Sequence, residues 1–468
     1  MNPPDSDAAR DPSEANASTR GSERLARPWW IPGFLGRIPA GLERHHIALV
    51  GVVSFAALFE NYDISMLSAA LKQIRESFGL EQAEMSSMIA WVRVGAIPAF
   101  FILPLADRIG RRRVFLAAII GMSIGTVLSA FAQTPIQFIA AQTLTRPFIV
   151  ASIVTAVVII AEELPAEHRG WGIGMLGAIG SFGFGLGALL YAFVEYIPYG
   201  WRALYVVGGV PILLFPFFRR AIPETRRFRE HRDSQGMRTS GRSILGTAIT
   251  PLIELFQLYP GRALAVTLVA LLFAGGSAPA FGLLSDFVQT EHGWQPSSYS
   301  LVILISGLAG AISNPLTGWA ADRLGRRPVA MTVFGLLPAT VFGIYYGPSW
   351  AIPFLSVPFL FFLTGGNVIV RVVASELFPT STRNSAMGLE TVSETIGAAI
   401  GYAAVGAFAL TVGGGAVASV SSGSIGPAVF MISLVTILGM IVFWQLPETA
   451  GRELEETSQI ASEEPAQR

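Results

Sequence analysis

The sequence predicts an all-α, polytopic membrane protein, with twelve transmembrane helices in two pseudo-symmetric six-helix bundles. Three observations lead there: a phrase written twice, an excess of apolar residues, and a one-sided distribution of arginine. Asp107-Arg108-Ile109-Gly110-Arg111-Arg112 returns as Asp322-Arg323-Leu324-Gly325-Arg326-Arg327. Each copy is followed, at a spacing that agrees to within one residue, by a second phrase. This is Glu162-x-x-Pro165-x-x-x-Arg169 in the first half and Glu376-x-x-Pro379-x-x-x-Arg383 in the second. Two motifs in the same order at the same spacing mean internal duplication. Hydrophobic residues make up 52% of the chain and charged residues 14%, against about 25% charged in soluble proteins. The surplus apolar surface therefore faces lipid.

A bilayer core about 30 Å thick takes roughly 20 apolar residues per helix. Such stretches lie at 46–69, 85–106, 114–132, 135–161, 170–194 and 201–219, and again at 263–287, 298–320, 329–347, 350–375, 384–411 and 426–446. With the N-terminus cytoplasmic, only Lys72, Arg75 and Arg202 fall in outer loops, and Arg93, Arg146 and Arg371 fall inside spans. All remaining basic residues are cytoplasmic, as the positive-inside rule requires. The resulting division is a cytoplasmic tail with an interfacial segment (1–44), a six-helix bundle (45–220), a cytoplasmic linker (221–261), a second bundle (262–447) and a cytoplasmic tail (448–468). In the first tail Trp29, Trp30, Phe34 and Leu35 suggest a segment lying on the inner leaflet. The linker is expected to hold a short interfacial helix around Ile249–Leu258.

Ionisable groups inside spans are costly and functional by default. At about 1.5 Å per residue, Glu60 and Asp63 lie roughly 21 and 25 Å from the cytoplasmic end of the first span. Arg93 and Arg146 lie roughly 21 and 24 Å up the second and fourth spans. Four charges from three helices thus share one layer. In the second half Arg371 lies in the tenth span, with Glu390 and Glu394 four apart on one face of the eleventh. Arg371–Glu390 reads as an inner-gate pair, whereas Glu394 lacks an obvious partner. Asn314 and Asn367 are polar cavity candidates. Span 5 carries Gly174, Gly177, Gly180, Gly183, Gly185 and Gly187, and span 11 carries Gly397 and Gly401; small residues let helices pack closely in lipid.

The doubled Asp-Arg-x-Gly-Arg-Arg loops resemble the signature of the major facilitator superfamily, and the resemblance covers about His45 to Arg452. Pro223-Glu224-Thr225, Pro447-Glu448-Thr449 and Glu60-Asn61-Tyr62-Asp63 are similar to its branch of sugar porters and aromatic-acid/proton symporters. The chain departs from the pattern at Leu103, where a glycine usually stands. In span 4 the family arginine would fall nearer Gln142 than Arg146. The resemblance implies a secondary transporter of the inner membrane, with both termini cytoplasmic, working by alternating access. Proton-coupled symport of an organic acid is the first expectation, with a neutral sugar or a non-transporting receptor as alternatives.

On that reading Glu60, Asp63 or Glu394 carries the proton, and Arg93 or Arg146 meets an anionic substrate. Asp107, Arg108, Gly110, Arg111 and Arg112 with Glu162 and Arg169 form one cytoplasmic latch, made when the transporter opens outward and broken when it opens inward. Asp322, Arg323, Gly325, Arg326 and Arg327 with Glu376 and Arg383 form its twin. The absence of cysteine excludes disulfides and thiolate ligands. His45, His46, His168, His231 and His292 show no metal spacing, and no nucleophile or phosphate-loop motif occurs. An enzyme, a metal, a cofactor and a nucleic-acid partner are accordingly not expected. The expected partners are a small-molecule substrate, protons and the lipid bilayer, with the chain acting as a monomer.

Overall fold

A computed structural model of the chain describes residues 28, 30–31, 38–39, 41–99, 102, 109–165, 168–222, 244–379, 382–413 and 425–448, the side chains of 244–249, 251, 383, 384, 412 and 413 excepted. The first half holds α1 (Arg44–Ala69), α2 (Gln82–Val94), α3 (Arg111–Ala130), α4 (Pro135–Glu163), α5 (Arg169–Tyr191) and α6 (Trp201–Ala221). The second holds α7 (Pro260–Gly282), α8 (Pro296–Leu324), α9 (Arg326–Tyr346), α10 (Ile352–Glu376), α11 (Arg383–Gly413) and α12 (Gly426–Gln445). Among the described residues, eleven helices are long and apolar enough to cross a membrane. The exception is α2. Its helix stops at Val94 and gives way to turns, because Pro98 offers no N–H and its ring crowds the Val94 carbonyl. The linker helix runs over Ile244–Leu258, longer than expected. Trp30 packs against Gly51 of α1 and Ile31 is buried there, so this part of the tail belongs to the bundle. Trp29, Phe34, Leu35, Asp107, Arg108 and Pro223-Glu224-Thr225 lie outside the described residues.

Hydrocarbon supplies no hydrophobic drive between helices, so close packing must hold them. The two halves use the same device. A Cβ on Gly183 of α5 would lie 1.8 Å from the Leu58 carbonyl of α1, and one on Gly401 of α11 would lie 2.1 Å from the Gly275 carbonyl of α7. The pairs α1–α5 and α7–α11 correspond under the duplication. Not every glycine serves this purpose: Gly174 and Gly177 face open space.

The doubled motif has a backbone reason as well. Gly110 and Gly325 stand immediately before α3 and α9 with φ of 109° and 100° and ψ of 140° and 154°. That region is essentially closed to residues with a Cβ, so both copies need glycine to turn into the helix. Beyond the turn, the N–H groups of Arg326 and Arg327 donate to the Glu448 carboxylate at 2.7 and 3.0 Å. The acid of the last Pro-Glu-Thr phrase thus caps α9 from 122 residues away. The Arg327 guanidinium donates to the Leu446 carbonyl beside it. A Cβ at position 325 would also meet the Glu448 carboxylate at 3.0 Å. Gly325→Ala is expected to cost about 1–3 kcal/mol, read as a lower melting temperature of the detergent-solubilised protein.

Candidate functional site

The buried charge layer forms where α1, α2 and α4 face α7 and α11. Asp63 is 3% exposed and Glu60 fully buried. Thr126 of α3 donates to Asp63 Oδ1 at 2.7 Å, and Arg146 Nη2 lies 3.8 Å from Oδ2, too far for a hydrogen bond. Asp63 therefore pairs with Arg146 and not with Arg93, the other arginine of the layer. Gln142, one turn earlier on α4, accepts from Arg146 at 3.0 Å and donates to Ser129 at 3.0 Å. Gln142 thus holds Arg146 in place from within the same helix.

Glu60 takes a short hydrogen bond from Ser152, while its Oε2 is buried without a partner. Arg93 stands with its guanidinium 5.7 Å from the Tyr402 ring centroid of α11, its Nε unpartnered. A cavity between the halves is lined by Ile64, Leu67, Ser68, Ile89, Arg93, Arg146, Gly282 and Tyr402. Two guanidinium groups, a hydroxyl and a phenol share this small space with three aliphatic side chains, so it offers partners for an anion beside apolar contacts. Asn314 is exposed and Asn367 half-buried, and neither lines this cavity.

In the second half Arg371 lies 3.8 Å from Glu390 and 3.5 Å from Glu394. Glu394 therefore has a partner, contrary to expectation, because four residues along α11 bring it onto the face that Arg371 spans. Arg371 is 56% exposed although it sits well inside α10.

The two arginine clusters are only partly as expected. Arg326 forks onto Glu376, with Nε and Nη2 donating at 3.1 and 2.7 Å, and its Nη1 donates to Asp322 at 2.6 Å. In the first copy Arg111 lies 3.4 Å from Glu162. The other arginines go elsewhere. Arg112 donates to the Arg219 carbonyl, Arg169 to the Leu164 carbonyl at 3.4 Å, and Arg323 lies 4.8 Å from the Trp319 ring centroid. The Arg383 side chain lies outside the described residues. Each ion pair among the described residues of these clusters joins spans of one half: α3 to α4, α8 to α9 or α9 to α10. Such a pair stiffens the half it lies in.

What ties the halves lies at the opposite, arginine-poor end, and the sequence reading missed it. Arg75 Nε donates to Asp286 Oδ1 at 2.9 Å, with the side chains 12% and 1% exposed. Around this pair Gln73 donates to Gln289 Oε1 at 3.0 Å, Lys72 to the Gln289 carbonyl at 3.3 Å and Gln289 to the Tyr191 hydroxyl at 2.8 Å. Phe184 packs on Phe281, and Ser285 donates to the Ala69 carbonyl at 2.5 Å. Asp286 escaped notice because it ends an apolar run and reads as interfacial. Its signal was an acid at the same end as Lys72 and Arg75, two of the three basic residues of the outer loops.

The sequence profile of the Major Facilitator Superfamily matches residues 53–283 and 266–466. A probable 4-methylmuconolactone transporter of Cupriavidus pinatubonensis is 26% identical over 87% of this chain and 92% of its own. A gallate transporter of Pseudomonas putida is 27% identical over 60% of this chain and 66% of its own. Among solved structures, the inward-open xylose transporter XylE of E. coli superposes with a TM-score of 0.67 over 89% of this chain and 99% of its own, at 16% identity. That last likeness speaks for the fold.

The arginine-poor closure is directly testable, because a chain without cysteine accepts a single reporter thiol. Ser68→Cys, behind the closure, should react with an impermeant maleimide from that side roughly tenfold faster once Asp286→Asn removes a charged hydrogen-bond partner. An unchanged labelling rate would contradict the gating role of Arg75 and Asp286.

Proposed function

Since the chain belongs to the Major Facilitator Superfamily, we propose that it is a proton-coupled symporter of small organic acids, aromatic carboxylates foremost, working by alternating access in the inner membrane. The chain is a transporter-family, multi-pass membrane protein and not an enzyme. The proposal concerns cargo, coupling and orientation. The observation that carries it is the cavity between the halves, where Arg93 and Arg146 stand in one wall with a loosely held Asp63 behind. A carboxylate cargo replaces Asp63 as the partner of Arg146, and Arg93 supplies a second guanidinium. The names of the relatives, a gallate and a methylmuconolactone transporter, agree with such a cargo.

We place the arginine-rich face in the cytoplasm, as the loop charges favour. The conformation described is then closed to the outside by Arg75–Asp286, and the exposed Arg371 faces a cytoplasmic vestibule. Arg326–Glu376 and Arg111–Glu162 keep each half stiff while it rocks.

Glu60 is the proton carrier in this scheme, with Asp63 as the group that couples it to cargo. A fully buried carboxyl whose one oxygen has no donor links its protonation to its hydration. Proton binding accompanies occlusion, and release accompanies opening to water. The Arg371, Glu390 and Glu394 cluster, which joins α10 to α11 within the second half, lines the inner vestibule in this scheme.

Purified protein in proteoliposomes should accumulate an aromatic carboxylate under an inwardly directed proton gradient and lose it when a protonophore is added. Uptake of a sugar with no uptake of any carboxylate would overturn the proposal. Glu60→Gln should abolish gradient-driven accumulation while leaving exchange of internal for external cargo measurable. Wild-type accumulation in that variant would remove Glu60 from the coupling path.

A further inference from the structure

We propose that Tyr402, seated on Gly282, is the residue that reads the flat ring of the cargo; this rests on the carboxylate reading above. Of the residues lining the cavity, six come from the first half and only Gly282 and Tyr402 from the second. Every charge that can hold an anion is thus on one side, and the opposite wall is a phenol ring. That ring is held in place at both ends. Its hydroxyl donates to the Ala278 carbonyl at 2.9 Å, and its own main-chain carbonyl accepts from Ser86 of α2 at 2.7 Å. The side chain is 1% exposed, so its plane does not turn freely.

Gly282 makes this placement possible. A Cβ there would lie 1.8 Å from the Tyr402 hydroxyl and 2.9 Å from the ring carbon bearing it. Even alanine would push the phenol out of its seat. The face of the ring is occupied by the Arg93 guanidinium at 5.7 Å. A carboxylate that draws Arg93 toward itself leaves that face to the apolar body of the same cargo. The remaining walls are Ile64, Leu67, Ile89 and Ser68, of which the three aliphatic side chains accept any apolar shape. Selection for a planar, π-bearing cargo therefore falls to Tyr402. The contact also couples the halves, because cargo held by guanidinium groups of the first half reaches the second half through this ring.

Benzoate and cyclohexanecarboxylate share charge and ring size and differ in planarity and π-character. Competition of each against a labelled aromatic carboxylate, on the purified full chain, measures the preference. The wild type should favour benzoate by roughly fivefold to tenfold, the size of an aromatic contact. Tyr402→Leu should bring the ratio near one, Tyr402→Phe should keep most of it, and Gly282→Ala should lower it. A wild-type ratio near one, or a ratio unchanged in Tyr402→Leu, overturns the assignment. If Tyr402→Leu does not fold, a Gly282→Ala protein with the wild-type ratio overturns it equally. Failure of both acids to bind the wild type refutes the carboxylate reading itself and this assignment with it.

Discussion

Hydrocarbon cannot solvate a charge, and most of this architecture follows from that. An ionised side chain in a span must find a partner, a cavity or an end. Arg146 finds Asp63 and Gln142, Arg93 finds the Tyr402 ring, and Arg371 finds two glutamates. Truncating one member of a buried pair leaves the other stranded, at a cost of about 3–5 kcal/mol. The same penalty makes such groups useful. A cargo or a proton that satisfies the stranded partner is worth nearly as much as the pair it displaces, so exchange of partners runs at little net cost.

The same constraint shapes the backbone. Spans are helical because every peptide group must be satisfied internally. With little polar contact between helices, their mutual positions are set by how closely backbones approach. Gly183 and Gly401 allow that approach at corresponding places in the two halves. Small residues thus set the packing within each half, while Phe184, Phe281 and Tyr191 are among the large side chains that meet between the halves.

How far the sequence could be read follows from the range of each interaction. Hydropathy is summed along one helix, so the spans stood out, and a charge in such a run announces itself without its partner. Partner choice depends on helix rotation. It was therefore open whether Asp63 would meet Arg93 or Arg146, and the i, i+4 relation of Gln142 and Arg146 was the clue that went unused. Asp286 was hidden by its place at the end of an apolar run. The Glu448 cap was hidden more deeply, because a carboxylate bonding two N–H groups across 122 residues leaves no periodic trace.

That cap has a consequence for how the protein is made. The chain is synthesised from its N-terminus, and α9 reaches the bilayer long before residue 448 leaves the ribosome. Until then the first turn of α9 holds exposed N–H donors, although the Arg326 side chain already has Asp322 and Glu376 within reach. Glu448 follows α12 and supplies the acceptor for those N–H groups, so this rim of the second bundle is finished only after all six of its helices have been made. The phrase after α12 is thereby a clasp on the assembled bundle.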